Sequence, residues 1–335
     1  MSATRWRQVS RLCAVLLALL TVTSACGGDA SDAEHGYEDQ LAALEPISLD
    51  AGEKLNVVAT TNIVGDIVRQ VGGDQIVLTT LMGPGIDPHS YVPTPADTAA
   101  IHDAHIVFAN GAGLEADLAE MFESAGGDAR QIYLSLGLEL LLTEDTGGEA
   151  SREHEQEGQD EGLDPHVWFD VKNVIHWVET IEEALSALDP TNADMYRANA
   201  NAYVRELESL DNWVVEQLAT IPENNRKLVT NHPAFVYFAT RYGLEQVGAI
   251  YPISPSSEPS AQDIAALEDA IREYGVSAVF TESTVNPKLA RQVAEDTGVN
   301  LVALYTGSLG GPGSGVESYV DLIRFDVNAI VGSLK

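Results

Sequence analysis

From Leu55 onward, short apolar runs alternate with segments whose apolar residues recur every three to four positions. LNVVATT, QIVLTTL, HIVFAN and QIYLSL have strand length and strand composition. NIVGDIVRQV (closed by Gly72-Gly73), PADTAAIHDA and LEADLAEMFESA carry the helical period. Asp170 stands as a cap before VKNVIHWVETIEEALSAL, in which Val174, Ile175, Val178, Ile181, Leu185 and Leu188 share a face. The longest helical pattern follows, over residues 191–220. Tyr196, Tyr203, Leu207, Leu210, Val214 and Leu218 hold the spacing there without a Gly or Pro. Strand and helix patterns then resume: KLVTN, a helix from Pro233, LEQVGAIY, a helix over 260–274, SAVFTE, a helix from Pro287, NLVALY and a last helix near 316–332. The pattern predicts an α/β fold of two βα lobes with mainly parallel sheets joined by one long rigid helix. The expected boundaries are 54–190, 191–220 and 221–335.

The pattern breaks twice. Residues 1–25 carry Arg5, Arg7 and Arg11 ahead of LCAVLLALLTV, an apolar run too short to span a bilayer but of signal-peptide length. Thr23, Ser24 and Ala25 then precede Cys26, an arrangement that resembles a bacterial lipobox and marks Cys26 for lipidation. Residues 26–53 read as the lipidated cysteine and a flexible tether. The second break is TEDTGGEASREHEQEGQDEGLD (143–164), an acidic run expected to be a mobile loop, with His154 as its one nitrogen donor.

Composition narrows the partners. The net charge is −33, and loss of residues 1–25, with three arginines and no acid, would take it to −36. Such a chain repels nucleic acid and attracts cations. One cysteine would remain after cleavage, so no internal disulfide forms and stability must come from core burial.

Candidate chemistry lies in a repeat. Asp87-Pro88-His89 recurs as Asp164-Pro165-His166, and His232-Pro233 follows KLVTN in the second lobe. Each imidazole sits at a transition into a helix beside a proline, which stiffens the corner and leaves less entropy to lose on ligation. Three neutral imidazoles suit zinc or a similar divalent cation. His102 and His105 mimic a ligand pair, but His105 opens a strand, so helical spacing fails. His176 reads as packing or surface, and His35 as part of the tether.

DPHSYVPTPAD, GLDPHVWFDVKN, the long helix, NHPAFVYFATRYG, FTESTVNPKLA and LYTGSLG together resemble the zinc- and manganese-binding solute-binding lipoproteins of bacterial metal ABC importers, also called adhesin-type lipoproteins. The likeness runs from about Leu55 to Lys335. It implies His89, His166 and His232 as ligands in a cleft between lobes. It also implies an ABC permease as partner, a lipid-anchored monomer in the periplasm or on the cell surface, and no catalysis. Histidine at the third position, often glutamate in manganese-binding relatives, leans toward Zn2+ as the bound substrate, with Mn2+ the alternative. Many relatives carry a fourth ligand, an aspartate, at the place of Gly307. Glycine offers no donor, so Glu282, at the end of SAVFTE, is the nearest substitute, with water or an acceptor role for Glu282 as the alternatives. Two other functions compete: a zinc hydrolase built on three histidines, which lacks HExxH here, and a surface adhesin.

Overall fold

The computed structural model describes residues 30–142, 162–251 and 259–335. A helix α1 (Ala30–Ala42) precedes β1 (Leu55–Thr61), α2 (Asn62–Gly72), β2 (Ile76–Met82), α3 (Pro95–His102), β3 (Ile106–Ala109), α4 (Ala119–Ala125) and β4 (Arg130–Tyr133). These strands form one parallel sheet in the order β2-β1-β3-β4. Then come α5 (Val171–Leu188), α6 (Ala193–Leu218), β5 (Lys227–Thr230), α7 (Val236–Tyr242), β6 (Glu245–Ala249), α8 (Ala261–Tyr274), β7 (Ala278–Glu282), α9 (Lys288–Thr297), β8 (Asn300–Leu304) and α10 (Tyr319–Leu334). The second half holds two parallel two-stranded ladders, β5-β6 and β7-β8, with β5 beside β7. The architecture is thus two βα halves joined by one long helix.

That helix, α6, has 26 residues and is about 40 Å long at 1.5 Å per residue. Its buried residues include all six expected from the spacing. It packs against α5 and α2 of the first half and α10 of the second. One apolar core runs through both halves, from Leu55 and Trp177 through Tyr196 to Tyr319 and Ile330. Two satellite cores lie under α3-α4 and under α8-α9. Caps fix the helix starts, at Asp170 as the sequence indicates. Thr61 receives the Val64 amide, Asp170 the Lys172 amide, and Ser260 the Asp263 amide.

Four expectations need correction. The tether is not all flexible, because α1 occupies much of it and docks. Gln40 pairs its side chain with both backbone groups of Tyr133 on the edge strand β4 (3.1 and 3.3 Å), and the Ile47 amide donates to the Leu188 carbonyl (2.8 Å). Leu41, Leu44, Ile47 and Leu49 pack on the core, which is why a segment of polar composition is held. The helix expected from Pro233 starts at Val236, since the Ala234 amide turns back to the His232 carbonyl (2.8 Å). The segment LEADLAEMFESA begins as a 3-10 turn at Ala116–Leu118 before α4. The last helix begins at Tyr319, where Ser318 caps it. The signal segment, Cys26 and the acidic residues 143–161, including His154, lie outside the described residues. Among the described residues no helix is long and apolar enough to cross a membrane.

Candidate metal centre

The first corner leaves β2 through Gly83 to Asp87. Asp87 Oδ1 accepts the His89 backbone N–H (3.0 Å), and Pro88 opens a 3-10 turn over Pro88–Ser90. The second corner repeats the bond: Asp164 Oδ1 accepts the His166 backbone N–H at 3.0 Å. It adds another, the His166 ring Nδ1–H at 2.6 Å. This corner is braced from the first sheet. Asn110 Nδ2 donates to the Pro165 carbonyl (3.0 Å), and buried Glu115 accepts the amides of Asn110 and Gly111 and the Thr60 hydroxyl. The third histidine follows β5. Thr230 donates its hydroxyl to the His232 carbonyl (2.7 Å), and His232 Nδ1–H donates to Glu282 Oε1 (2.5 Å). Glu282 Oε2 accepts the Thr306 hydroxyl (2.5 Å).

These supports turn three Nε2 atoms onto one point. His166 Nε2 lies 3.0 Å from His89 Nε2 and 2.9 Å from His232 Nε2, and the ring centroids are 4.8–5.1 Å apart. Among the described residues, this trio is the one group of three or more His, Cys, Asp or Glu whose donor atoms converge within 4.8 Å. With Nδ1–H of His166 and His232 committed to carboxylates, each ring in its neutral form presents a bare Nε2 lone pair to the other. Two lone pairs 2.9 Å apart repel unless a cation sits between them. A tetrahedral zinc with Zn–N of about 2.0–2.1 Å would hold its nitrogens roughly 3.3 Å apart, a few tenths of an ångström wider than found here. Small ring adjustments would admit such an ion.

The electrostatics favour a neutral His89 ring and an ionised Glu282. Burial, reinforced by His166 and His232, lowers the His89 pKa from the ordinary 6.5 to about 2. Burial pushes the Glu282 carboxyl up, but the His232 imidazole and the Thr306 hydroxyl outweigh it and leave the group below its usual value. Glu282 therefore does not fill the fourth place expected for it. Both its oxygens are taken, and it stands behind His232, fixing that ring's tautomer and direction. Gly307 also departs from a donor position. A Cβ there would lie 2.7 Å from Pro88 Cδ, so the close approach of the two loops leaves no room for a side chain.

Three other histidines are engaged by backbone groups. His102 Nδ1 pairs with the Ala125 carbonyl, His105 Nδ1 accepts the Asn56 amide, and His176 Nε2 pairs with the Leu136 carbonyl. Sequence reasoning missed Asn110, Glu115, Thr306 and Trp168, whose ring meets His166 (centroids 5.3 Å). It also missed Asp164 as a ring acceptor, although its recurrence in the tripeptide was a visible signal.

Imidazoles drawn from both halves of an α/β frame, converging on one point, describe a protein that holds a metal ion. Comparison with known proteins carries this further. The family model of the zinc-uptake complex component A, periplasmic (ZnuA), matches residues 57–333. A manganese-binding lipoprotein, MntA, of Halalkalibacterium halodurans is 35% identical over 285 residues, covering 85% of this chain and 90% of that protein. The iron-binding protein YfeA of Yersinia pestis is 34% identical over 283 residues, covering 84% and 86%. Among solved structures, a Mn-bound serine-to-alanine mutant of a periplasmic metal-binding protein from Candidatus Liberibacter asiaticus superposes with a TM-score of 0.75. It is 29% identical and covers 84% of this chain and 100% of that one. The chain belongs to the ZnuA family of metal-binding substrate-binding proteins of ABC importers. It is the substrate-binding component of a metal importer, and the zinc-hydrolase alternative falls, because its relatives are metal-binding proteins of transporters and not enzymes.

Proposed function

We propose that this protein captures Zn2+ through the Nε2 atoms of His89, His166 and His232 and delivers it to a membrane permease. The observation that carries this reading is the 2.9 Å approach of His166 and His232 Nε2, each with its Nδ1–H bound to a buried carboxylate. In their neutral form such rings have only an Nε2 lone pair left, and a cation between them would satisfy both. The donor set is nitrogen-only, since Glu282 is engaged behind His232 and Gly307 has no side chain. Imidazole sets suit zinc, whereas carboxylates, carbonyls and water suit manganese. A second reading, Mn2+ as cargo, is favoured by the manganese-binding names of relatives.

The mature protein would be a monomer held at the outer face of a membrane by lipid on Cys26. Its two lobes would lie at 54–190 and 221–335, joined over 191–220. The test is the metal found in the protein isolated from its own cells grown with both ions present. Zinc at one per chain, lost in His166→Ala, is the expected result. Manganese at one per chain would install the second reading, and an empty chain that also refuses added zinc would overturn both.

A further inference from the structure

One four-residue segment after β8 touches the supports of all three histidines. Thr306 donates to Glu282, which holds His232, and its carbonyl accepts Trp168 Nε1–H (3.0 Å), two residues from His166. Gly307 packs on Pro88, next to His89. Ser308 and Leu309 then bind the first half directly. Asn62, the first residue of α2, donates its Nδ2 to Ser308 Oγ (2.7 Å) and to the Gly83 carbonyl (2.9 Å). Its Oδ1 accepts the Leu309 amide (2.7 Å). Ser308 Oγ also accepts the Gly85 amide (2.8 Å), and the Leu309 carbonyl accepts it at 3.3 Å. Asn62 and Ser308 are both buried, 8% and 1% exposed, so these bonds do not compete with bulk water.

The Asn62 side chain thus uses both of its ends on partners 21 to 247 residues away in sequence. It gathers the loop that leads into His89 and the segment that backs His232. A second tie between the same elements lies farther off. Asp66, one turn along α2, accepts the Tyr319 amide at the start of α10 (2.8 Å), without touching residues 306–309. Both ties hold α2 to the second half. The Asn62 tie binds the Gly83–Gly85 loop that leads into His89, whereas Asp66 holds the backbone of Tyr319, whose hydroxyl donates to the Trp168 carbonyl (2.7 Å).

Resting on the three-histidine reading, we propose that Asn62 and Ser308 are positioning residues that latch the two halves together beside the metal and set the rate of its release. Opening the latch frees the Gly83–Pro88 loop and the Thr306–Leu309 segment from each other. His89 then moves away from His166 and His232, and the ion loses one ligand before the others. Entry is governed by encounter with exposed rim groups and does not wait on the latch. Removing the latch therefore accelerates departure far more than arrival.

The test measures zinc dissociation into excess chelator, zinc association, and the urea midpoint of the metal-free form, all on the full mature chain. Asn62→Ala and Ser308→Ala should each release zinc about ten- to a hundredfold faster, as expected for loss of buried hydrogen bonds. Association should stay within about twofold, and the double variant should release no faster than the faster single one, because both residues serve one contact. Asp66→Ala should lower the urea midpoint while releasing zinc near the wild-type rate. Wild-type release rates in both latch variants would overturn the proposal, as would an Asp66→Ala protein that releases as fast as they do. If Asn62→Ala does not fold, Ser308→Ala, which removes a single oxygen, decides the question. Failure of the underlying reading looks different: wild type itself would take up no zinc, or His166→Ala would hold it as well as wild type.

Discussion

The two Asp-Pro-His corners share a sequence and one hydrogen bond, yet they are not equivalent. In both, the aspartate accepts the backbone N–H of its histidine at 3.0 Å. The second aspartate is fully buried and also grips the ring, at 2.6 Å. The first aspartate is only partly buried, and its other oxygen accepts the Ser90 hydroxyl (3.4 Å); among the described residues none receives the His89 Nδ1–H. The difference follows from position. The second corner is roofed by Asn110, Glu115 and Trp168, whereas the first lies at the rim beside exposed Ile86 and Val92. Identical tripeptides thus yield one fixed imidazole and one adjustable imidazole. A capture protein needs both, since a site built only of fixed groups would release its cargo slowly.

The comparison can be broken most forcefully by deleting the rings. His166→Ala should weaken zinc binding on the order of a thousandfold, if the roughly 10–16 kcal/mol of a structural zinc site is shared among its ligands. His89→Ala should cost less, and competition titration with a chromophoric chelator orders the two. An equal loss would erase the distinction between fixed and adjustable ligands. Next come the aspartates. Asp164→Ala removes the ring acceptor and should weaken binding about ten- to a hundredfold, as expected for a group behind a metal ligand. Asp87→Asn retains an acceptor for the His89 N–H and should change affinity less than about threefold.

Gly307→Ala probes the rim from the other side. Its Cβ would meet Pro88 Cδ at 2.7 Å and push the His89 corner outward. Affinity should fall about tenfold, a shift of that size following from one misplaced ligand. In a His89→Ala background the same change should do almost nothing.

The smallest effect is on the metal-free protein. The His89 pKa is about 2 in the folded chain and near 6.5 when unfolded, so between these values the unfolded chain binds more protons. Stability contributed at this site is therefore retained above pH 6.5 and lost progressively as pH falls toward 2. Urea midpoints from pH 7 to 4 should drop less steeply in His89→Ala than in wild type. The same shift bears on metal binding. Protons compete with metal for imidazole, so affinity falls with pH, but His89 stays neutral well below 6.5. Zinc binding at pH 6 should accordingly release fewer protons than three ordinary imidazoles would, measured by calorimetry in buffers of different ionisation enthalpy.

Much of this was legible in the chain. The strands, the long helix with its six buried positions, and the three proline-flanked histidines follow from local period and local stiffness. What was not legible depends on partners distant in sequence. Helix α1 looks like spacer because its composition is polar, and its docking on β4 through Gln40 and on α5 through Tyr37 leaves no local pattern. Glu282 offered itself as a fourth donor because it ends a strand near the site. Its true neighbours, His232 and Thr306, are 50 and 24 residues away, and they use both its oxygens. The Asn62 contacts span up to 247 residues and leave no local pattern.

The most direct test of the central claim is X-ray absorption fine structure at the zinc edge of the zinc-loaded mature protein. Three imidazoles at about 2.0–2.1 Å around each zinc, unchanged in number in Glu282→Gln, is the predicted result. Two or fewer imidazoles, or loss of a carboxylate oxygen from the zinc in Glu282→Gln, would contradict it.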